Sequence, residues 1–169
     1  MTSIEELIKK NFSDFPAQRR VVNKILEYGL SVKSGKIYCN DIQIEFGAIG
    51  RVCDVDPRIV KDTCERISND DGMSNIFKKF RSIMNLKDVA PDLGLGVIVL
   101  VPKDAKQPGI LASVSQVISL EGISIRQAVA DDPYITPDPK FYIIADSPIP
   151  SELLTKLRKL EGVLSITIY

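Results

Sequence analysis

Two short stretches constrain this chain more than anything else in it: LEGISI at 120–125 and LEGVLSI at 160–166. Each glycine falls where a helix needs a left-handed residue to stop. Before the first stretch, Ile110, Leu111, Val114, Val117 and Ile118 recur at helical spacing, in a helix expected over 108–120. Before the second, Leu153, Leu154, Leu157 and Leu160 form one face of a helix that Ser151 is expected to cap. Upstream of each helix lies a nearly continuous apolar run, GVIVLVP at 96–102 and KFYIIAD at 140–146. Downstream of each glycine lies an alternating run, ISIRQAVA and VLSITIY.

The unit strand–helix–LEG–strand therefore occurs twice, as β-α-β-β-α-β. That order predicts a ferredoxin-like sandwich over residues 94–169. Strands one and three are apolar on almost every residue, as central strands are. Strands two and four carry Ser124 and Arg126, and Ser165 and Thr167, on one face, as half-solvated edges do. Both helices are expected on one face of the sheet. The open edges are candidate seams for a homodimer. Between strands two and three runs DDPYITPDP (131–139), a proline-rich loop. Its Asp131, Asp132 and Asp138 read as an Asp-Pro turn in preference to a site for a cation or an amino group.

The stretch PGILASVSQVISLEGISIRQ (108–127) resembles the opening of an ACT domain, the small regulatory fold that binds amino acids. DDPYITPDPKFYIIADSPIP (131–150) is similar to archaeal proteins described as predicted regulators of amino-acid metabolism, which end in an ACT domain. The resemblance implies a small ligand, usually an amino acid, at the first strand–helix loop, commonly between paired domains. It points to Lys106, Gln107, Gly109, Ile110 and Leu111, with Ser124 across the first strand pair. Lys106 stands where such domains often carry an acid, and Ser124 where they often carry asparagine. The residues allow this reading, since glycine admits close approach to backbone. Bare amides at a helix start also favour a carboxylate. The Pro108-Gly109 pair reads equally as a plain strand-to-helix corner.

The N-terminal part, residues 1–86, is expected to be mostly helical. SIEE at 3–6 fits a capping box ahead of Ile4, Leu7 and Ile8. Pro16 starts a helix with Val21, Val22, Ile25 and Leu26 on one face and Gly29 as its stop. KIYCNDIQI (36–44) reads as a hairpin turning at Asn40-Asp41. A weak helix over 45–53 and a stronger one from Pro57 to Ile67 flank the turn Asp54-Val55. This pair resembles a helix-turn-helix, with Ile49, Cys53, Val55, Val60 and Thr63 inward and Gly50 allowing close contact. Arg51, Arg58 and Lys61 would then face DNA. Asp56, Asp62 and Glu65 share that helix, a mixture that favours an alternative, docking against a partner enzyme. SNDDGMSN (68–75) reads as a flexible joint, IFKKFRSIM (76–84) as an amphipathic helix docking the two domains, and LKDVAPDLG (86–94) as a connection.

Composition narrows the chemistry. The chain has no histidine, and its three cysteines form no CxxC. That removes the usual neutral-pH base and leaves no zinc-binding motif. No nucleophile–base pair or phosphate loop is present, so a non-enzymatic protein without cofactor is expected. Residues 1–90 carry 15 basic and 13 acidic side chains, and residues 91–169 carry 7 and 9, so neither part is a strongly basic nucleic-acid binder. The sequence shows no secretory signal and no apolar run of membrane-spanning length, and with its odd cysteine count a cytoplasmic protein with reduced thiols is expected. The combined reading is a regulator that senses an amino acid or related metabolite and couples it to DNA binding.

Overall fold

The computed structural model describes residues 4–169, so Ser3 of the expected capping box lies outside the described residues. The chain divides into two compact units, Met1–Met84 and Asn85–Tyr169. It is mixed α and β, with two antiparallel sheets.

In the first unit, α1 (Ile4–Phe12) and α2 (Pro16–Glu27) precede three short strands, β1 (Ser31–Lys33), β2 (Lys36–Cys39) and β3 (Ile42–Ile44). Helices α3 (Phe46–Cys53), α4 (Pro57–Asn69) and α5 (Asp71–Phe77) follow. Phe12, Val21, Val22, Ile25, Ile37, Val60, Cys64, Ile67, Met73 and Phe77 are fully buried in one core. The hairpin read at 36–44 is β2–β3, with Cys39 opposite Ile42. Strand β1 extends it to a meander that sequence reading missed. Ser34 and Gly35, both at positive φ, make a two-residue turn between Lys33 and Lys36, the geometry that matches strand twist.

The expected helix over 76–84 does not form. Helix α5 instead occupies the stretch read as flexible, because the Asp70 side chain accepts the Met73 N–H at 2.9 Å and Met73 and Phe77 enter the core. Beyond it the chain becomes a strap. Ser82 donates its hydroxyl to the Tyr28 carbonyl at 2.6 Å and exchanges backbone bonds with the Asn40 side chain. A helix there would spend the same groups internally.

The second unit contains β4 (Gly96–Pro102), α6 (Ile110–Leu120), β5 (Ile125–Ala130), β6 (Phe141–Ala145), α7 (Ser151–Leu157) and β7 (Val163–Ile168). The strand order is β5-β6-β4-β7 with every pairing antiparallel. The apolar strands are central and the alternating ones are edges, which is the ferredoxin-like arrangement. Gly122 and Gly162 both adopt left-handed backbone, φ 71° and 80°. Ser151 begins α7 rather than capping it; Pro150 holds the cap position.

Both faces of the sheet are covered. Ile98, Leu100, Phe141 and Ile143 pack under α6 and α7. On the opposite face Val97 and Ile144 pack with Leu86, Ala90 and Leu95. Residues 86–95, read from sequence as a connection, are therefore a cover, closed by a 3-10 turn at Pro91–Leu93 and by the Leu86 N–H donating to Gln127 Oε1 at 2.9 Å. Double coverage is the physical reason the central strands are apolar on both sides.

Candidate functional site

In the second unit, the loop after β4 is organised by Asp104. Its carboxylate accepts the Lys106 N–H at 2.9 Å and its carbonyl accepts the Gln107 N–H at 3.1 Å. Helix α6 starts only at Ile110, so Pro108 lies in the turn before it and not in its first turn. Gly109 caps the helix at φ 90°. That backbone alone calls for glycine, and a side chain there would meet nothing within 4 Å. Of the two readings of Pro108-Gly109, the corner accounts for the glycine without a ligand.

The proline-rich loop is held in the same local way. Asp132 accepts the Tyr134 N–H through its carboxylate at 2.8 Å. The Asp131 carboxylate accepts the Lys140 N–H at 3.1 Å and the Tyr142 hydroxyl at 3.4 Å. Burial, and then the Asp131 charge, push the Tyr142 phenol above its ordinary range. These bonds fit the Asp-Pro turn reading. Among the described residues no cluster of cysteine, aspartate and glutamate is placed to hold a metal ion.

The two loops leave the sheet at the same end, because Leu100 pairs with Phe141 and Phe141 with Ala130. Between them lies a cleft of about 360 Å³. Its polar lining is Lys103, Asp104, Lys106 and Asp138, and Pro133, Pro137, Pro139 and Leu164 give it apolar walls. The Lys106 ammonium sits 4.3 Å from the Tyr134 ring centre and so ties one loop to the other. Among the described residues none of these four charged groups forms an ion pair.

Of the six residues expected to touch ligand, Lys106 lines this cleft. Ile110 is 3% exposed and belongs to the core under the helices. Gln107 turns its amide towards Gly162. Leu111 is 39% exposed on α6. Ser124 does not lie across a first strand pair: β6 separates β5 from β4, and the Ser124 carbonyl accepts the Asp146 N–H at the opposite end of the sheet. Lys103 and Asp104 were missed as lining residues, and Asp138 was read in preference as part of a turn. The available signal was topological, since a β-α-β-β-α-β order puts the first and third loops at one end.

In the first unit, α3 and α4 meet at a three-residue turn, Asp54 to Asp56. Asp54 is left-handed, φ 51° and ψ 56°, and the Val55 N–H returns to the Gly50 carbonyl at 3.0 Å. Ile49, Cys53, Val60 and Thr63 are buried, and Val55 packs against them. Arg20 of α2 donates from Nε to the Cys53 carbonyl and from Nη2 to the Asp54 carbonyl, both at 3.2 Å. It caps the end of α3, a role invisible to local periodicity. Arg51, Arg58 and Lys61 are all exposed. The Arg58 side chain lies 4.0 Å from Asp56, and Lys61 lies 3.6 Å from Glu65.

No protein-family model matches the chain, and no curated protein matches it. Solved structures to which it is similar include the ACT domain of GTP pyrophosphokinase from Chlorobium tepidum, at 22% identity over 44% of this chain and 96% of that one, with a TM-score of 0.35. It is also similar to PH0061, at 13% identity over 90% and 88% of the two chains with a TM-score of 0.26. MtbAldR is similar at 12% identity over 90% of each, with a TM-score of 0.24. An ACT domain is thus among the structures this chain resembles. At these scores the likenesses carry no weight for function, and the ferredoxin-like arrangement rests on strand order and register.

Proposed function

We propose that this chain is a non-enzymatic regulatory protein of the cytoplasm. Its second unit acts as an ACT-type sensor of an amino acid or related metabolite, and its first unit acts as a helix-turn-helix that binds DNA. The protein works as a homodimer, with no cofactor, and ligand favours one dimer geometry through its difference in affinity between two states.

The observation that carries the sensor reading is the cleft beside the first strand–helix loop, lined by two ammonium and two carboxylate groups. A zwitterionic amino acid presents both signs, and about 360 Å³ lies at the lower end of small-molecule pockets. Lys103 and Lys106 suit a carboxylate, and Asp104 and Asp138 suit an ammonium. The experiment is a thermal-shift screen against the twenty common amino acids and their derivatives. A true ligand at a hundred times its Kd adds about 2.7 kcal/mol. A flat panel removes the sensor reading.

The DNA reading is supported by the three-residue elbow and the exposure of Arg51, Arg58 and Lys61. A second reading, docking to a partner protein, is favoured by the carboxylates beside Arg58 and Lys61, which would repel phosphates. Affinity for duplex DNA against salt separates the two. A steep log–log slope supports DNA binding, and absence of binding at 50 mM salt supports the partner protein.

A further inference from the structure

We propose that the β1–β2 hairpin is a phosphate-contacting element for duplex DNA, acting through Lys33 and Lys36. This rests on the reading that the first unit binds DNA, but on separate residues from the helix pair.

Lys33 and Lys36 face each other directly across the Ser34-Gly35 turn. Directly paired residues share one side of a hairpin with Cβ atoms roughly 5 Å apart, and like charges so placed oppose folding. Both lysines are exposed, and among the described residues neither forms an ion pair. The hairpin therefore presents an uncompensated double positive charge.

The same side carries the half-buried Tyr38 and the exposed Gln43, which pair across β2 and β3, and only Ser31, at the far end from the turn, is buried on it. The Lys33 ammonium stands 5.3 Å from the Tyr38 ring centre. Lysine, tyrosine and glutamine side chains are all donors used on phosphate oxygens. The opposite side of the hairpin is anchored, with Val32 and Ile37 buried in the core. Its tip is tied to α4, where the Gly35 N–H donates to Ser68 Oγ at 2.9 Å. Lys61 lies two helical turns before Ser68, about 10 Å along the axis. Glu65, whose Cγ lies 3.9 Å from where a Cβ at Gly35 would sit, already reaches Lys61 at 3.6 Å. An anchored ribbon with paired point charges suits a regular row of phosphates more than a small anion.

The test is binding to a mixed-sequence duplex of about 25 base pairs, measured against salt for wild type, K33Q, K36Q and K33Q/K36Q. Each lost phosphate contact flattens the log–log slope by about 0.9, so the double variant should lose about 1.8 and each single variant half of that. The single variants keep the test alive if the double variant is unstable, and K33R/K36R should retain the full slope. Unchanged slopes in folded glutamine variants overturn this proposal and leave DNA binding by the helix pair standing. Failure of the unaltered protein to bind at 50 mM salt overturns both.

Discussion

Gly47 and Gly50 lie one helical turn apart in α3, yet alanine at the two positions should change stability in opposite directions. A Cβ at Gly50 would lie 2.8 Å from the Val55 carbonyl oxygen and 3.5 Å from the Pro57 nitrogen. Both are backbone atoms of the elbow, and Arg20 and the Val55–Gly50 bond hold that elbow in place. Relief requires moving α4 away from α3, an overpacking cost of about 1–3 kcal/mol. The helix-propensity gain of about 1 kcal/mol offsets only part of it. Gly50→Ala should therefore destabilise by up to roughly 2 kcal/mol. At Gly47 the nearest atom is the flexible tip of Arg51 at 3.7 Å, so Gly47→Ala should stabilise by about 0.5–1 kcal/mol. Urea unfolding followed by far-UV circular dichroism reads both, and for a domain of this size 1 kcal/mol moves Tm by about 4–8 °C. If Gly50→Ala stabilises as much as Gly47→Ala, the close approach at the elbow is not what glycine serves there.

Three further outcomes follow from the same structure. Asp54→Gly should stabilise by up to about 1 kcal/mol, because Asp54 bears a left-handed backbone at φ 51° that glycine adopts without strain; an unchanged or lower unfolding midpoint would contradict this. Arg20→Ala should cost about 1.5–3 kcal/mol by removing two charge-assisted bonds to the Cys53 and Asp54 carbonyls, with Arg20→Lys recovering part of it. Burial pushes the Cys64 thiol from its ordinary value of 9.0 up to about 12. The native thiol therefore keeps its proton where the unfolded one releases it, and stability falls by about 1.4 kcal/mol per pH unit above pH 9, towards 12. Comparison of wild type with Cys64→Ala isolates that slope, and identical slopes would refute it.

Much of the fold was legible because it is written in local periods. The two LEG glycines marked helix ends that the structure shows at left-handed φ. Strand apolarity sorted centre from edge correctly. Asp54, Gly50 and Pro57 marked the elbow between α3 and α4. Strand β1 was also within reach, since Ser34-Gly35 is a hairpin dipeptide, but three residues give too short a period to read. The candidate cleft was only partly legible: Lys106 and Asp138 were each singled out but not together, and Asp104 meets Asp138 across more than thirty residues of chain.

The amino-acid sequence by itself determined which segments are strands and helices in the second unit, their order, and therefore which strands lie inside. It did so because burial on one or two faces imprints a period on neighbouring residues. Tertiary structure alone decided that residues 86–95 cover the sheet, that Ser82 bonds Asn40 instead of extending a helix, and that the two loops of the second unit share a cleft. Those outcomes depend on pairings between residues far apart in the chain, and hydrophobic periodicity carries no record of which distant group completes a hydrogen bond.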